Sequence, residues 1–99
     1  MPIRITERSH QKQHDSELLH KFIQNKLSKL EKLARVTDIE VILDVDNIRH
    51  IAEANVFVPN KVINAKAESE DMYKSIDLLQ EKLTRQMIKY KEKFSDHQD

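Results

Sequence analysis

Ninety-nine residues with 17 basic and 17 acidic side chains make one domain of zero formal net charge. Cysteine is absent, which excludes disulfides, thiolate nucleophiles and cysteine-bound zinc; glycine is absent too, which excludes the phosphate loops of the Walker and Rossmann kinds. No apolar run is long enough to span a membrane and "MPIRITERSH" carries charges where a signal peptide needs an apolar stretch, so a cytoplasmic location without membrane contact is expected.

In chain order, "IRITE" alternates apolar and polar residues and predicts a short strand. The polar "RSHQKQHDS" reads as a loop, after which Asp15 or Ser16 can cap a helix. Leu19, Phe22, Ile23, Leu27, Leu30 and Ala34 form one stripe at helical spacing, so this helix is expected to end near Arg35. In "TDIEVILDVD", Ile39, Val41, Leu43 and Val45 alternate as the apolar face of a second strand. "IAEANVFV" and "KVINAKAE" give two more strands, divided by Pro59 and Asn60. Without glycine, turns that need positive φ must use Asn or Asp, and Asn47 and Asn60 are the candidates. A last helix is predicted from about Ser69 to Phe94, on the stripe Met72, Ile76, Leu79, Leu83, Met87, Tyr90 and Phe94.

The order is β-α-β-β-β-α, an α+β fold. The three later strands have short connections and should form an antiparallel meander; the first joins through a helical crossover and should pair in parallel, giving a four-stranded mixed sheet. Each helix leaves the same end of an upward strand and runs back down. The two helices are therefore expected parallel on one face, a layout like that of double-stranded RNA binding domains. Residues 1–95 should form the single domain and 96–99 a polar tail.

Charge is distributed unevenly. Lys21 to Arg35 holds five basic residues against Glu31 alone, and Lys82 to Lys93 holds five against Glu92 alone, a net +4 in each. Parallel helices would set these basic ends side by side. On the last helix Lys82, Arg85, Lys89 and Lys93 fall within an arc of roughly 80°. The four-residue partners of Lys89 and Lys93 are Arg85 and Lys89, of the same sign, an arrangement that costs a few tenths of a kcal/mol per pair. Helix-dipole complementation accounts for bases in the last turn only; Lys82 lies about three turns earlier. A polyanion is the expected partner. A membrane surface calls for apolar residues beside the bases, and duplex DNA for a helical reading motif. Folded RNA, gripped through its phosphates, fits better.

These same residues resemble a known family. "DMYKSIDLLQEKLTRQMIKYKEK" is similar to the last helix of the ribosome hibernation-promoting factor and ribosome-associated inhibitor family, through Asp71, Met72, Tyr73, Ile76, Asp77, Lys82, Leu83, Arg85 and Gln86. "INAKAE" resembles its last strand. "NKLSKLEKL" resembles its first helix, with Lys26, Lys29, Leu30 and Glu31 in place. The likeness runs from Ile3 to about Phe94; the glycine-free loop at 7–15 and the "VPNK" turn depart from the family pattern. The resemblance implies a translation inhibitor, active in stationary phase or stress, that occupies the mRNA and tRNA channel of the small ribosomal subunit. It implies an RNA-facing set of Lys26, Lys29, Lys82, Arg85, Gln86, Lys89 and Lys93, joined by Lys91, on 16S-type rRNA. It also implies a short form, a monomer off the ribosome, that would pair ribosomes only alongside a separate small ribosome modulation factor.

Other constellations carry less. His10 and His14 are four apart but lie in a predicted loop without a third ligand, so no metal is expected. Asp71 suits the first turn of the last helix, and Asp77 reads as an exposed or hydrogen-bonded helix residue; no nucleophile–base pair can be picked out, so neither enzyme activity nor a cofactor is expected. Tyr73 reads as a core aromatic with its hydroxyl at the rim. The alternative to RNA binding is a protein-interaction module using a sheet edge or the open sheet face.

Overall fold

The period-two alternation resolves into four strands, and the two helical stripes into a layer covering one face of them. A computed structural model describes residues 2–8 and 16–96, with side chains to Lys93. The elements are β1 (Ile3–Glu7), α1 (Ser16–Leu27) continued by a 3-10 helix (Ser28–Lys32), β2 (Asp38–Asp46), β3 (Arg49–Val58), β4 (Lys61–Ser69) and α2 (Met72–Asp96). The sheet order is β1-β2-β3-β4, with β1 parallel to β2 and the other pairs antiparallel. This is the expected mixed α+β sheet.

Register aligns the apolar positions into rows across the sheet. Ile5, Val41, Ala54 and Ala65 form one such row beneath the helices. The core closes with Leu19, Ile23, Leu27 and Leu30 from the first helical segment and Met72, Ile76, Leu79, Leu83, Met87 and Tyr90 from α2. Inward positions on β3 and β4 include Ala52, Ala54, Ala65 and Ala67, small side chains that let α2 lie close on these two strands. Inward positions on β2 are Ile39, Val41 and Leu43, all buried in the same core.

Both glycine-free hairpins use asparagine. Asn47 has φ 63° and Asn60 φ 66°, the only positive φ values among the described residues. Each stands in a two-residue connection, between the pairs Asp46↔Arg49 and Val58↔Lys61. Asparagine tolerates this region because its short amide can bond its own backbone, whereas other Cβ-bearing residues lose about 1–2 kcal/mol there. Asn60→Ala is expected to lower unfolding free energy by about 1 kcal/mol and Asn60→Gly to leave it near the wild-type value, measured by urea denaturation.

Helix boundaries differ from the sequence expectation in three places. The first α-helix ends at Leu27, not near Arg35, and continues as the 3-10 segment. Leu27, Leu30 and Leu33 are spaced by three, the repeat of a 3-10 helix, and Leu33 N–H donates to Leu30 O at 3.0 Å. The tighter winding keeps all three leucines facing inward. At the start of α1, Ser16 is no side-chain cap: its buried Oγ has no hydrogen-bond partner. Asp15, the other candidate, lies outside the described residues, as do His10 and His14.

The second helix begins at Met72 rather than Ser69. Ser69 still belongs to β4, and Asp71 stands just outside the helix, its Oδ1 accepting from Tyr73 N–H at 3.2 Å as an N-cap. Buried Ser75, on the first turn, donates to His50 O at 2.6 Å and ties the helix start to β3. At the other end α2 reaches Asp96, two residues beyond the expected limit. The side chain of Phe94 and residues 97–99 of the expected tail fall outside the described part.

Candidate nucleic-acid interface

Two contacts fix how the helices run. Phe22 meets Tyr73 edge to face, ring centroids 4.9 Å apart, and Lys26 Nζ lies 3.1 Å from Asp77 Oδ1. A step of four along α1 matches a step of four along α2, in the same sense, so the helices are parallel. Tyr73 is half-buried and its ring packs on Phe22, in keeping with a core role. At ~1.5 Å per residue α2 is about twice as long as α1. Leu33, Ala34 and Arg35 come to lie beside Tyr90 and Lys91, around a depression they share with Pro59. The residues that follow the first helical segment thus flank the second half of α2.

The eight residues singled out in the sequence fall into two groups. Lys29, Arg85, Lys89, Lys91 and Lys93 are exposed and form no ion pair among the described residues. Their charge is available to an outside partner.

The other three are engaged within the molecule. Lys26 is half-buried, paired with Asp77 and set 5.4 Å over the Phe22 ring. Lys82 Nζ donates to Lys66 O at 2.7 Å, and Gln86 Nε2 donates to Asn64 O at 2.7 Å. Both acceptors are carbonyls of the edge strand β4. The side chains of α2 therefore reach over and cap an edge that would otherwise expose them. A carbonyl is neutral, so Lys82 keeps its charge and two further N–H donors. In Lys26, by contrast, Asp77 offsets the charge.

Arg35 belongs with this surface through its position beside Lys91, although it stands outside the set that the family pattern marks. Its signal was compositional only, the last of five bases on the first helical segment. The capping roles of Lys82 and Gln86 have no signal in the sequence, because they depend on which β4 carbonyls face α2.

Five acidic residues sit on the other side. Asp38, Glu40, Asp44, Glu53 and Glu68 occupy the strand positions that alternate with the buried ones, on the sheet face turned away from the helices. Several have local partners there. Arg4 pairs with Asp38 at 2.6 Å and Arg49 with Glu68. Asn55 donates to Glu40 at 3.1 Å, and Asn64 donates to Glu53 at 3.1 Å. The hydrogen bond from Arg49 to Glu68 raises the guanidinium's pKa above its ordinary value, and the nearby Glu68 charge adds to the shift. In this neutral protein the helical side is the more basic and the outer sheet face the more acidic.

Among the described residues no group of three His, Asp or Glu could hold a metal ion, and no helix is long and apolar enough to cross a membrane.

Comparison with known proteins places the chain in a family. The model for a family described as "Sigma 54 modulation protein / S30EA ribosomal protein" matches residues 9–95. The ribosome hibernation promoting factor of Azotobacter vinelandii is 40% identical over 84 residues, covering 84% of this chain and 78% of that protein. The Escherichia coli K12 protein of the same name is 39% identical over 83 residues, covering 83% and 87%. Among solved structures, a ribosomal subunit interface protein from Coxiella burnetii matches with a TM-score of 0.78 and 35% identity, covering 92% of this chain and 98% of that one. The N-terminal domain of Thermus thermophilus Protein Y shares the fold, with a TM-score of 0.80 at 21% identity, covering 91% and 99%. The chain belongs to the S30EA ribosomal protein family, with the ribosome hibernation promoting factors. It is a family of binding factors and not of enzymes.

Proposed function

We propose that this protein binds the small ribosomal subunit in the channel used by mRNA and tRNA, and so holds idle ribosomes inactive in stationary phase or stress. The observation that carries this reading is the basic helical side. Lys29 stands exposed on the first helical segment and Arg85, Lys89, Lys91 and Lys93 on α2, with Lys82 and Gln86 on the flank of α2 that overlies β4. Phosphates of folded 16S-type rRNA supply the complementary charge, and the acidic outer face of the sheet would turn away from them. Lys26 contributes less to RNA than its place in the family pattern implies, because Asp77 already offsets its charge.

In this reading residues 1–95 form the ribosome-binding domain of a cytoplasmic protein that is monomeric off the ribosome. A separate small ribosome modulation factor is a further partner in this reading. The alternative, an interaction module working through a sheet edge, finds less support at β4. There Lys82 and Gln86 already occupy two of the carbonyls that an added strand would need.

The test is sedimentation of the protein with purified small subunits over a salt series, with a translation assay alongside. Binding should fall linearly on a log–log plot, by roughly 0.7–0.9 in slope for each phosphate neutralised. Arg85→Gln should reduce that slope by about one unit. Binding indifferent to salt would defeat the assignment and favour an apolar contact.

A further inference from the structure

The depression between the 3-10 segment and the end of α2 has a chemistry unlike the rest of the basic side. Leu33, Ala34, Pro59 and Tyr90 make its lining apolar, and its two charged lining residues are Arg35 and Lys91, both cations. It is open, and its volume is about 340 Å³, at the small end of ligand sites. Tyr90 is held in place, its hydroxyl donating to Pro59 O at 2.9 Å. That bond ties α2 to the β3–β4 turn, whose shape Asn60 sets through its positive φ. The surface is formed before any ligand arrives.

We infer that this depression takes one unpaired nucleobase, with the adjoining phosphate held by Arg35 and Lys91. The inference rests on the RNA-binding reading above and extends it from phosphate contact to base contact. A nucleotide joins a flat apolar ring to an anion, and the site joins an apolar floor to two cations with no lining carboxylate to repel the phosphate. A base within a duplex is stacked on both faces and cannot enter, so the nucleotide comes from a loop, a bulge or a single strand. With Arg35 and Lys91 engaged by the phosphate and the Tyr90 hydroxyl by Pro59 O, no lining side chain is left to read a base edge, so the site discriminates stacked from unstacked bases rather than one base from another.

The probe is a single-stranded RNA tetranucleotide, compared with a tetramer of the same phosphate backbone lacking bases. Both are titrated into isotope-labelled protein and followed by NMR. The expected result is that the methyl groups of Leu33 and Ala34 shift with the base-bearing tetramer and stay unmoved with the abasic one, while the Lys89 amide responds to both. Ala34→Glu should remove the methyl-region shifts and weaken binding of the base-bearing tetramer about tenfold, the size of one lost stacking contact. Arg35→Gln, which leaves the floor intact and does not depend on tolerating a buried charge, should weaken it about threefold.

Equal shifts at Leu33 and Ala34 from the two tetramers would overturn the inference in favour of phosphate contact alone. Equal shifts from a tetrapeptide ending in a leucine carboxylate would overturn it in favour of a protein terminus. Shifts at Lys89 with none at Leu33 or Ala34 would overturn it and leave the RNA reading standing. No response anywhere on α2, with binding to small subunits also absent, would end both.

Discussion

Replacing Arg85 and Lys89 together by glutamate is expected to abolish co-sedimentation with small ribosomal subunits while leaving the fold intact. The two are one helical turn apart and exposed, and neither has an ion-pair partner among the described residues. Their replacement removes no ion pair among the described residues. Each contact between a charged side chain and a phosphate is worth roughly 1.5–3 kcal/mol, and reversal adds repulsion to that loss. The double variant should therefore bind at least ~100-fold more weakly. Arg85 and Lys89 make a cleaner pair than Lys82 and Lys89, because glutamate at 82 would also remove the cap on Lys66 O. Circular dichroism and thermal melting unchanged from wild type would locate the effect in binding. Sedimentation unchanged from wild type would remove these residues from the interface.

The largest effect on stability is expected from Leu83→Ala. Leu83 is fully buried on α2, within the core shared by the helices and the sheet. Truncation loses its transfer free energy and leaves a void, about 3–5 kcal/mol in such positions. A domain of this size has roughly 5–15 kcal/mol in all, so the variant should melt at least ~10 °C lower. Leu83→Met, which keeps the volume, should lose less than ~1.5 kcal/mol. A small effect of the alanine variant would mean that α2 repacks against β3 and β4, contrary to its close fit on the alanines there.

Most of the fold was legible because it is written in periodicity. The alternation in "TDIEVILDVD" and the stripe from Met72 to Tyr90 each have one structural reading, and the short connections leave one topology. Even the turns could be placed, since a chain without glycine has few residues able to adopt positive φ, and Asn47 and Asn60 were both candidates. The helix ends were less legible. Leu27 and Leu30 fit an α-helix as well as a 3-10 helix, and only packing against the sheet decides between them. At the start of α2, Ser69 and Asp71 both suit a cap, and the strand pairing that holds Ser69 in β4 decides.

The candidate interface was legible in outline and not in its particulars. Parallel helices set Arg35 beside Lys91, while Lys82 and Gln86 lie on the other flank of α2, over the β4 edge. Which bases stay exposed depends on side-chain partners across the fold, Asp77 for Lys26 and the β4 carbonyls for Lys82 and Gln86. The depression beside Arg35 is less legible still. It is assembled from a helix end, a turn and another helix that are distant in sequence.

The bond from Lys82 to Lys66 O bears on recognition in another way. A long cationic side chain gives up as much as ~2 kcal/mol of rotamer freedom when it is immobilised. In Lys82 much of that loss is already incurred on folding, and the ammonium still presents two donors outward. This lysine meets an incoming anion with a smaller entropic penalty than its freely rotating neighbours on the same helix.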